Sequence, residues 1–109
     1  MYGGGGLNVK GTLPLLILQV LSSGPKHGYR VAQEIKSRSE GALNFAEGTL
    51  YPALHAHENH GLVESYHRVE NGRRRRYYRL TDAGTRALSE ERVEWRRLVA
   101  AVGVILGET

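Results

Sequence analysis

The segment LVESYHRVENGRRRRYYRLT, residues 62–81, holds two β-rich runs, 63–69 and 75–80, on either side of Asn71-Gly72. Asn-Gly between such runs is the strongest short hairpin signal. Tyr66, Tyr77 and Tyr78 suit a pleated, half-buried surface. The tip carries Arg73, Arg74, Arg75 and Arg76. Alternate residues of a strand point to opposite faces, so only some of these arginines reach one partner strand at once. Guanidinium pairs well with phosphate, and a narrow minor groove attracts arginine. A basic edge can also serve only to deter strand-to-strand aggregation. The flanking segments bear on which role applies.

Immediately upstream is GTLYPALHAHENHGL, residues 48–62, with three of the chain's 5 histidines, His55, His57 and His60. Pro52 constrains where a helix can begin here. Inside a helix, proline removes a hydrogen bond and clashes with the preceding turn, costing ~3 kcal/mol. With Thr49 as N-cap, Pro52 falls in the first turn, where N–H groups are unpaired anyway. The expected helix runs to His60, and Gly61 supplies the left-handed residue that ends it.

Two more helices are expected before it. Over 12–21, Leu13, Leu16, Ile17, Val20 and Leu21 follow the i, i+3, i+4, i+7, i+8 pattern of one helix face. Pro14 sits early, where a missing N–H is tolerated, and Ser22, Ser23, Gly24 and Pro25 stop the helix. Over 27–38, Tyr29, Ala32 and Ile35 recur every three residues, and 40–44 reads as a turn at Gly41. Downstream, Thr81 caps a last helix with Asp82 in its first turn, where negative charge is favourable. Leu88, Trp95, Leu98, Val99, Val102, Ile105 and Leu106 form one long apolar stripe on it. The order is helix, helix, helix, hairpin, helix, a mainly α chain with a small β-hairpin (α+β).

Composition bounds the function. The chain's 109 residues predict one domain, and a small domain gains from a partner subunit. Hydrophobic content of 40% and charged content of 24% are ordinary for a soluble globular protein. Cys is 0, which excludes disulfides, thiolate metal sites and cysteine nucleophiles and fits a reducing cytoplasm. Net charge of +4 and a pI near 9.7 favour an acidic partner, nucleic acid or an anionic surface. No apolar run approaches the ~20 residues of a membrane span. Residues 1–8, with the glycine run Gly3 to Gly6, read as a flexible lead without a signal-peptide core.

Three short helices before a basic-tipped hairpin is the plan of a winged helix-turn-helix, expected here over 9–81, with 82–109 as a long C-terminal dimerisation helix. In that plan the recognition helix puts its N-terminal side chains against base edges in the major groove. Its outward face would carry Thr49, Tyr51, Pro52 and His55, which offer hydrogen-bonding groups and an apolar ring for a thymine methyl. Arg73, Arg74, Arg75 and Arg76 would hold phosphate or the minor groove. The partner is then double-stranded DNA with a pseudo-palindromic operator, its half-sites about one helical turn (~10 bp) apart. Trp95, Leu98, Val102 and Ile105 are too apolar for an exposed face; they fit a homodimer interface.

Gly11-Thr12-Leu13, His27-Gly28-Tyr29, Gly48-Thr49-Leu50-Tyr51-Pro52-Ala53-Leu54, Gly61-Leu62 and Tyr78-Arg79-Leu80-Thr81 with Gly84 together resemble the PadR family of bacterial transcriptional regulators. The resemblance spans about 9–106 and is closest to the short members with one C-terminal helix. It implies a homodimeric winged-helix repressor with that helix in the interface, a recognition helix over 49–60 and a wing over 68–77. It also implies a small planar or phenolic effector near the dimer seam, on which Trp95 could stack; the commoner role of a lone tryptophan on an apolar stripe is core packing. Related sequences usually read Leu-His-Arg-Leu-Glu where this chain has Leu54-His55-Ala56-His57-Glu58. Ala56 therefore lacks an arginine that could touch phosphate, and His57 stands where a core leucine is expected.

Other readings are weaker. His55 and His57 lie ~200° apart on a helix and cannot share a metal. His57 and His60 could supply two ligands, but zinc needs three or four. The reading is instead a hydrogen-bonded, half-buried His57 and a surface His60; no metal and no cofactor are expected. Ser22 and Ser23 end a helix without a nucleophile elbow, and no carboxylate pair is evident, so catalysis is not expected. A winged-helix protein-interaction module that does not bind DNA would share the apolar stripe. The arginine wing argues for DNA.

Overall fold

A computed structural model of the chain describes residues 9–108; the expected lead over 1–8 lies outside the described residues. The elements are α1 (Val9–Leu21), β1 (Lys26–His27), α2 (Gly28–Arg38), α3 (Glu47–Asn59), β2 (Val63–Glu70), β3 (Arg73–Leu80) and α4 (Asp82–Leu106). The antiparallel sheet has the order β1-β3-β2. The hairpin expected from Asn71-Gly72 is present. Its strands run up to the turn, with Glu70 opposite Arg73, and Asn71 and Gly72 take φ of 52° and 74°. Positive φ at both central residues is what a two-residue primed turn requires.

β1 was not expected. It pairs Lys26 with Tyr78 and His27 with Tyr77, so the sheet has a third strand beyond the hairpin. Two residues are too short to show a period.

The core lies where α1, α2, α3 and one face of the sheet meet. Leu13, Ile17, Leu18, Val31, Ile35, Leu50, Leu54, Val63 and Tyr78 are all buried there, with Leu88 from the start of α4. α1 begins at Val9 rather than at residue 12, which leaves Pro14 inside it. Its buried face includes Leu18, with Leu16 only half-buried, because neighbours pack on it from more than one side. On α2 the period of three is misleading. Val31 and Ile35, four apart, face the core, and Tyr29 is exposed.

α3 also starts earlier than expected. Its N-cap is Ala46, and the N–H groups of Thr49 and Leu50 both donate to the Ala46 carbonyl at 3.0 Å. Thr49 is therefore not the N-cap, and Pro52 lies inside the helix. The carbonyl that Pro52 leaves without a donor belongs to Gly48, an exposed residue that water can reach. Glu47 in the first turn suits the helix dipole. The other end is as expected. Gly61 has φ of 74°, its N–H donates to Glu58, and the Leu62 N–H donates to His57 at 2.9 Å.

Thr81 caps α4, its hydroxyl oxygen accepting from the Gly84 N–H at 3.0 Å. The same hydroxyl donates to the Gly61 carbonyl at 2.6 Å, and the Thr81 N–H donates to Leu62 at 3.1 Å. A Cβ on Gly84 would fall on the Leu62 carbonyl oxygen, so α4 starts in direct contact with the α3–β2 corner. Beyond Leu88 the helix leaves the core, and the described chain extends 55 × 30 × 22 Å. No helix among the described residues is long and apolar enough to cross a membrane.

Candidate nucleic-acid interface

Tyr51 sits at the centre of the candidate surface, but it does not simply point outward. Its ring lies against Gly28, where an added Cβ would come within 2.6 Å of Cε1. Burial, and then Glu47, push its phenol pKa up, so it stays a protonated donor at neutral pH. His55, one turn on, is exposed, with its ring 6.5 Å from that of Tyr51. Pro52 is exposed and Thr49 half-buried. Gly28 explains itself by this contact: only a residue without a side chain lets α2 come this close to Tyr51.

All four wing arginines are exposed. They divide between the two faces of β3, as alternation requires. Arg75 Nη1 lies 3.2 Å from His27 Nε2, and its Nε lies 3.9 Å from Glu70. Arg74 reaches His67 Nδ1 at 3.4 Å. Arg76 donates to both Glu58 oxygens at 3.2 Å, and its guanidinium lies 5.7 Å from the centre of the Tyr78 ring. Glu58 belongs to α3, so Arg76 ties the wing to that helix. The Ser65 hydroxyl, 2.5 Å away, is the main reason the Glu58 carboxyl stays below its usual pKa; burial opposes this and Arg76 adds to it.

These contacts bring part of the predicted set together. Tyr51 and His55 from α3, and Arg75 and Arg76 from β3, line one notch of about 380 Å³ with His27, Gly28, Tyr29 and Tyr78. Thr49, Pro52, Arg73 and Arg74 do not line it. His27 and Tyr29 were not singled out as site residues. They enter because β1 holds the start of α2 against the wing, and a two-residue strand leaves no signal that would have shown it.

The histidines of 48–62 do not converge. His57 is buried, its Nε2–H donating to the Pro14 carbonyl of α1 at 2.9 Å, while His55 and His60 are exposed. Among the described residues no three His, Cys, Asp or Glu side chains are grouped to hold a metal ion.

A second surface lies on α4. Trp95 is 44% exposed, Leu98 55%, Val102 43% and Ile105 84%, so this stripe is not covered by its own domain. Beside Trp95 a groove of about 350 Å³ runs between α4 and α1, lined by Gly11, Thr12, Leu15, Glu91, Glu94 and Leu98.

Comparison with known proteins gives this architecture its place. The chain is 44% identical over 78 residues to Transcriptional regulator Rv3488 of Mycobacterium tuberculosis, covering 72% of this chain and 70% of that one. A PadR family transcriptional regulator from Eggerthella lenta has a similar crystal structure, with a TM-score of 0.79 and 33% identity over 89% of this chain and 83% of that one. Bacillus subtilis PadR, crystallised in complex with operator DNA, shares the fold at a TM-score of 0.66 and 22% identity, over 72% of this chain and 45% of that one. Residues 17–90 match the transcriptional regulator PadR-like family. The chain therefore belongs to the PadR-like family, and it is a transcriptional regulator rather than an enzyme.

Proposed function

We propose that the chain is a repressor that binds a pseudo-palindromic DNA operator as a symmetric homodimer. Residues 9–81 form the DNA-binding unit and 82–109, whose helix is α4, the dimerisation unit. The observation that carries this reading is the shared notch: Tyr51 and His55 of α3 face the same space as Arg75 and Arg76 of the wing. α3 enters the major groove, where Thr49, Tyr51, Pro52 and His55 read base edges or fix register. Arg73, Arg74 and Arg75 reach phosphates and the adjacent minor groove, while Arg76 also braces the wing on Glu58. The fold shared with the B. subtilis protein crystallised on operator DNA supports the reading. The exposed stripe of Trp95, Leu98, Val102 and Ile105 supports the dimer.

The groove beside Trp95 supports a second element of the proposal, a small planar or phenolic effector that releases the operator. Trp95 lines it, and an indole can stack on a planar ring.

Selecting fragments of the source genome bound by the protein tests the reading. The expected outcome is a common inverted repeat with half-sites ~10 bp apart, centre to centre. Recovery of no enriched sequence would favour the protein-interaction module instead.

A further inference from the structure

Two hydrogen-bond donors, Arg75 and the Arg30 N–H, compete for the one acceptor nitrogen of the His27 ring in the lining of the notch. Arg75 Nη1 lies 3.2 Å from His27 Nε2. His27 is also the N-cap of α2, its Nδ1 accepting from the Arg30 N–H at 3.3 Å. A backbone N–H and a guanidinium N–H both only donate, and the neutral ring has a single acceptor nitrogen, so one of these two contacts meets the ring's own N–H. With the α2 cap kept, Nδ1 holds the lone pair and the proton sits on Nε2. Burial, followed by Arg75, pushes the His27 pKa below its ordinary value; Glu70 opposes this and Arg30 adds to it. The ring is therefore neutral at neutral pH. Tyr29 lies parallel to it at 6.5 Å and Tyr77 meets it edge-on at 5.7 Å, which fixes its plane.

A guanidinium has no lone pair to offer Nε2–H. Glu70, the nearest carboxylate, lies 3.9 Å from Arg75 Nε, and it already accepts from the Tyr77 hydroxyl at 2.6 Å and pairs with Arg68 at 3.6 Å. An anionic oxygen set in front of the pair would accept from both His27 and Arg75. The position suits one source of such oxygens. With α3 in a major groove and the wing over the neighbouring minor groove, one sugar–phosphate strand must pass between them. The notch is lined by Tyr51 and His55 of α3 and by Arg75 and Arg76 of the wing, the two elements that would flank that strand.

We propose that this notch seats one phosphodiester of the DNA backbone, with His27 Nε2–H and the Arg75 guanidinium as its paired donors. The proposal rests on the DNA-binding reading above. His27 acts as a neutral donor whose tautomer the α2 cap selects. Such a contact sets register and carries no sequence information.

The test uses a duplex selected by the wild-type protein. His27→Asn keeps an N-cap acceptor for Arg30 but removes the ring. It should weaken binding roughly tenfold, the scale of a hydrogen bond to a charged group, on operator and unrelated duplex alike. Its salt slope should match wild type, because a neutral donor releases no counterion. Arg75→Ala should lose affinity and also flatten the slope by about 0.9. In duplexes carrying one neutral methylphosphonate at a time, one position per half-site should cost the wild type affinity and cost His27→Asn less, since Arg75 still meets that phosphate in the variant. Nitrogen NMR of the wild-type ring covers the case in which the variant misfolds: the Nε2–H resonance should shift when the duplex binds.

Wild-type affinity in His27→Asn overturns the proposal. So does a slope flattened as in Arg75→Ala, since the ring would then act as a cation. A ring resonance unmoved by bound duplex overturns it as well. An equal shift with inorganic phosphate alone assigns the notch to free phosphate and not to DNA. A wild-type protein that holds no duplex defeats the DNA-binding reading itself, a result distinct from DNA bound with His27 unperturbed.

Discussion

Replacing His57 by Leu should lower stability by about 1 kcal/mol, the usual net worth of a buried hydrogen bond. The check is a lower urea midpoint at unchanged m-value. The ring joins α3 to α1 through the Pro14 carbonyl, 2.9 Å away. A gain in stability would mean the ring is only tolerated where leucine would pack better. Helical geometry alone placed His55 outward and His57 inward. It did not supply Pro14, which lies 43 residues away in sequence and has no local pattern to announce it. Gly28 was equally opaque, because its reason is the Tyr51 ring on another helix. Gly28→Ala should therefore displace that ring and mimic Tyr51→Ala, lowering the ratio of specific to non-specific binding. Competition with unrelated duplex measures it, and an unchanged ratio in both variants would make Tyr51 a packing residue only.

The hairpin was the most legible element, since Asn71-Gly72 and the flanking β-rich runs carry their own turn chemistry. β1 was invisible, and it is the strand that brings His27 to the wing. The start of α3 was misplaced by treating proline as a first-turn residue, when the carbonyl it leaves without a donor belongs to an exposed residue, Gly48, and Pro52 can sit further in. Of the wing arginines, Arg76 is held by Glu58 at 3.2 Å, while Arg74 and Arg75 face only histidines at 3.4 and 3.2 Å and a more distant Glu70. Arg74 and Arg75 are thus freer to meet phosphate. Replacing both by Ala should weaken binding to every sequence and reduce the salt slope by roughly 2, one for each lost phosphate contact. Unchanged affinity and slope would remove the wing from the interface.

The single chain leaves the apolar stripe of α4 open to water, with Ile105 84% exposed. Periodicity made that stripe legible in the sequence, but not whether its own domain would cover it. In the proposed dimer, Trp95→Asp places an unpaired charge in the seam. Sedimentation should then show a monomer at micromolar concentration; a persistent dimer would place the seam elsewhere. The root of α4 adds a mechanical consequence. Thr81 grips the Gly61 carbonyl at 2.6 Å, and Gly84 lies flush against Leu62, so the helix joins the end of α3 without a joint. A helix of 25 residues is about 37 Å long. In the proposed dimer such an arm would swing its proposed DNA-reading head with it, so a small re-seating of one α4 on another would reset the distance between the two heads. Rigidity at that corner would thus make the protein a calliper, with its gap adjusted from the far end.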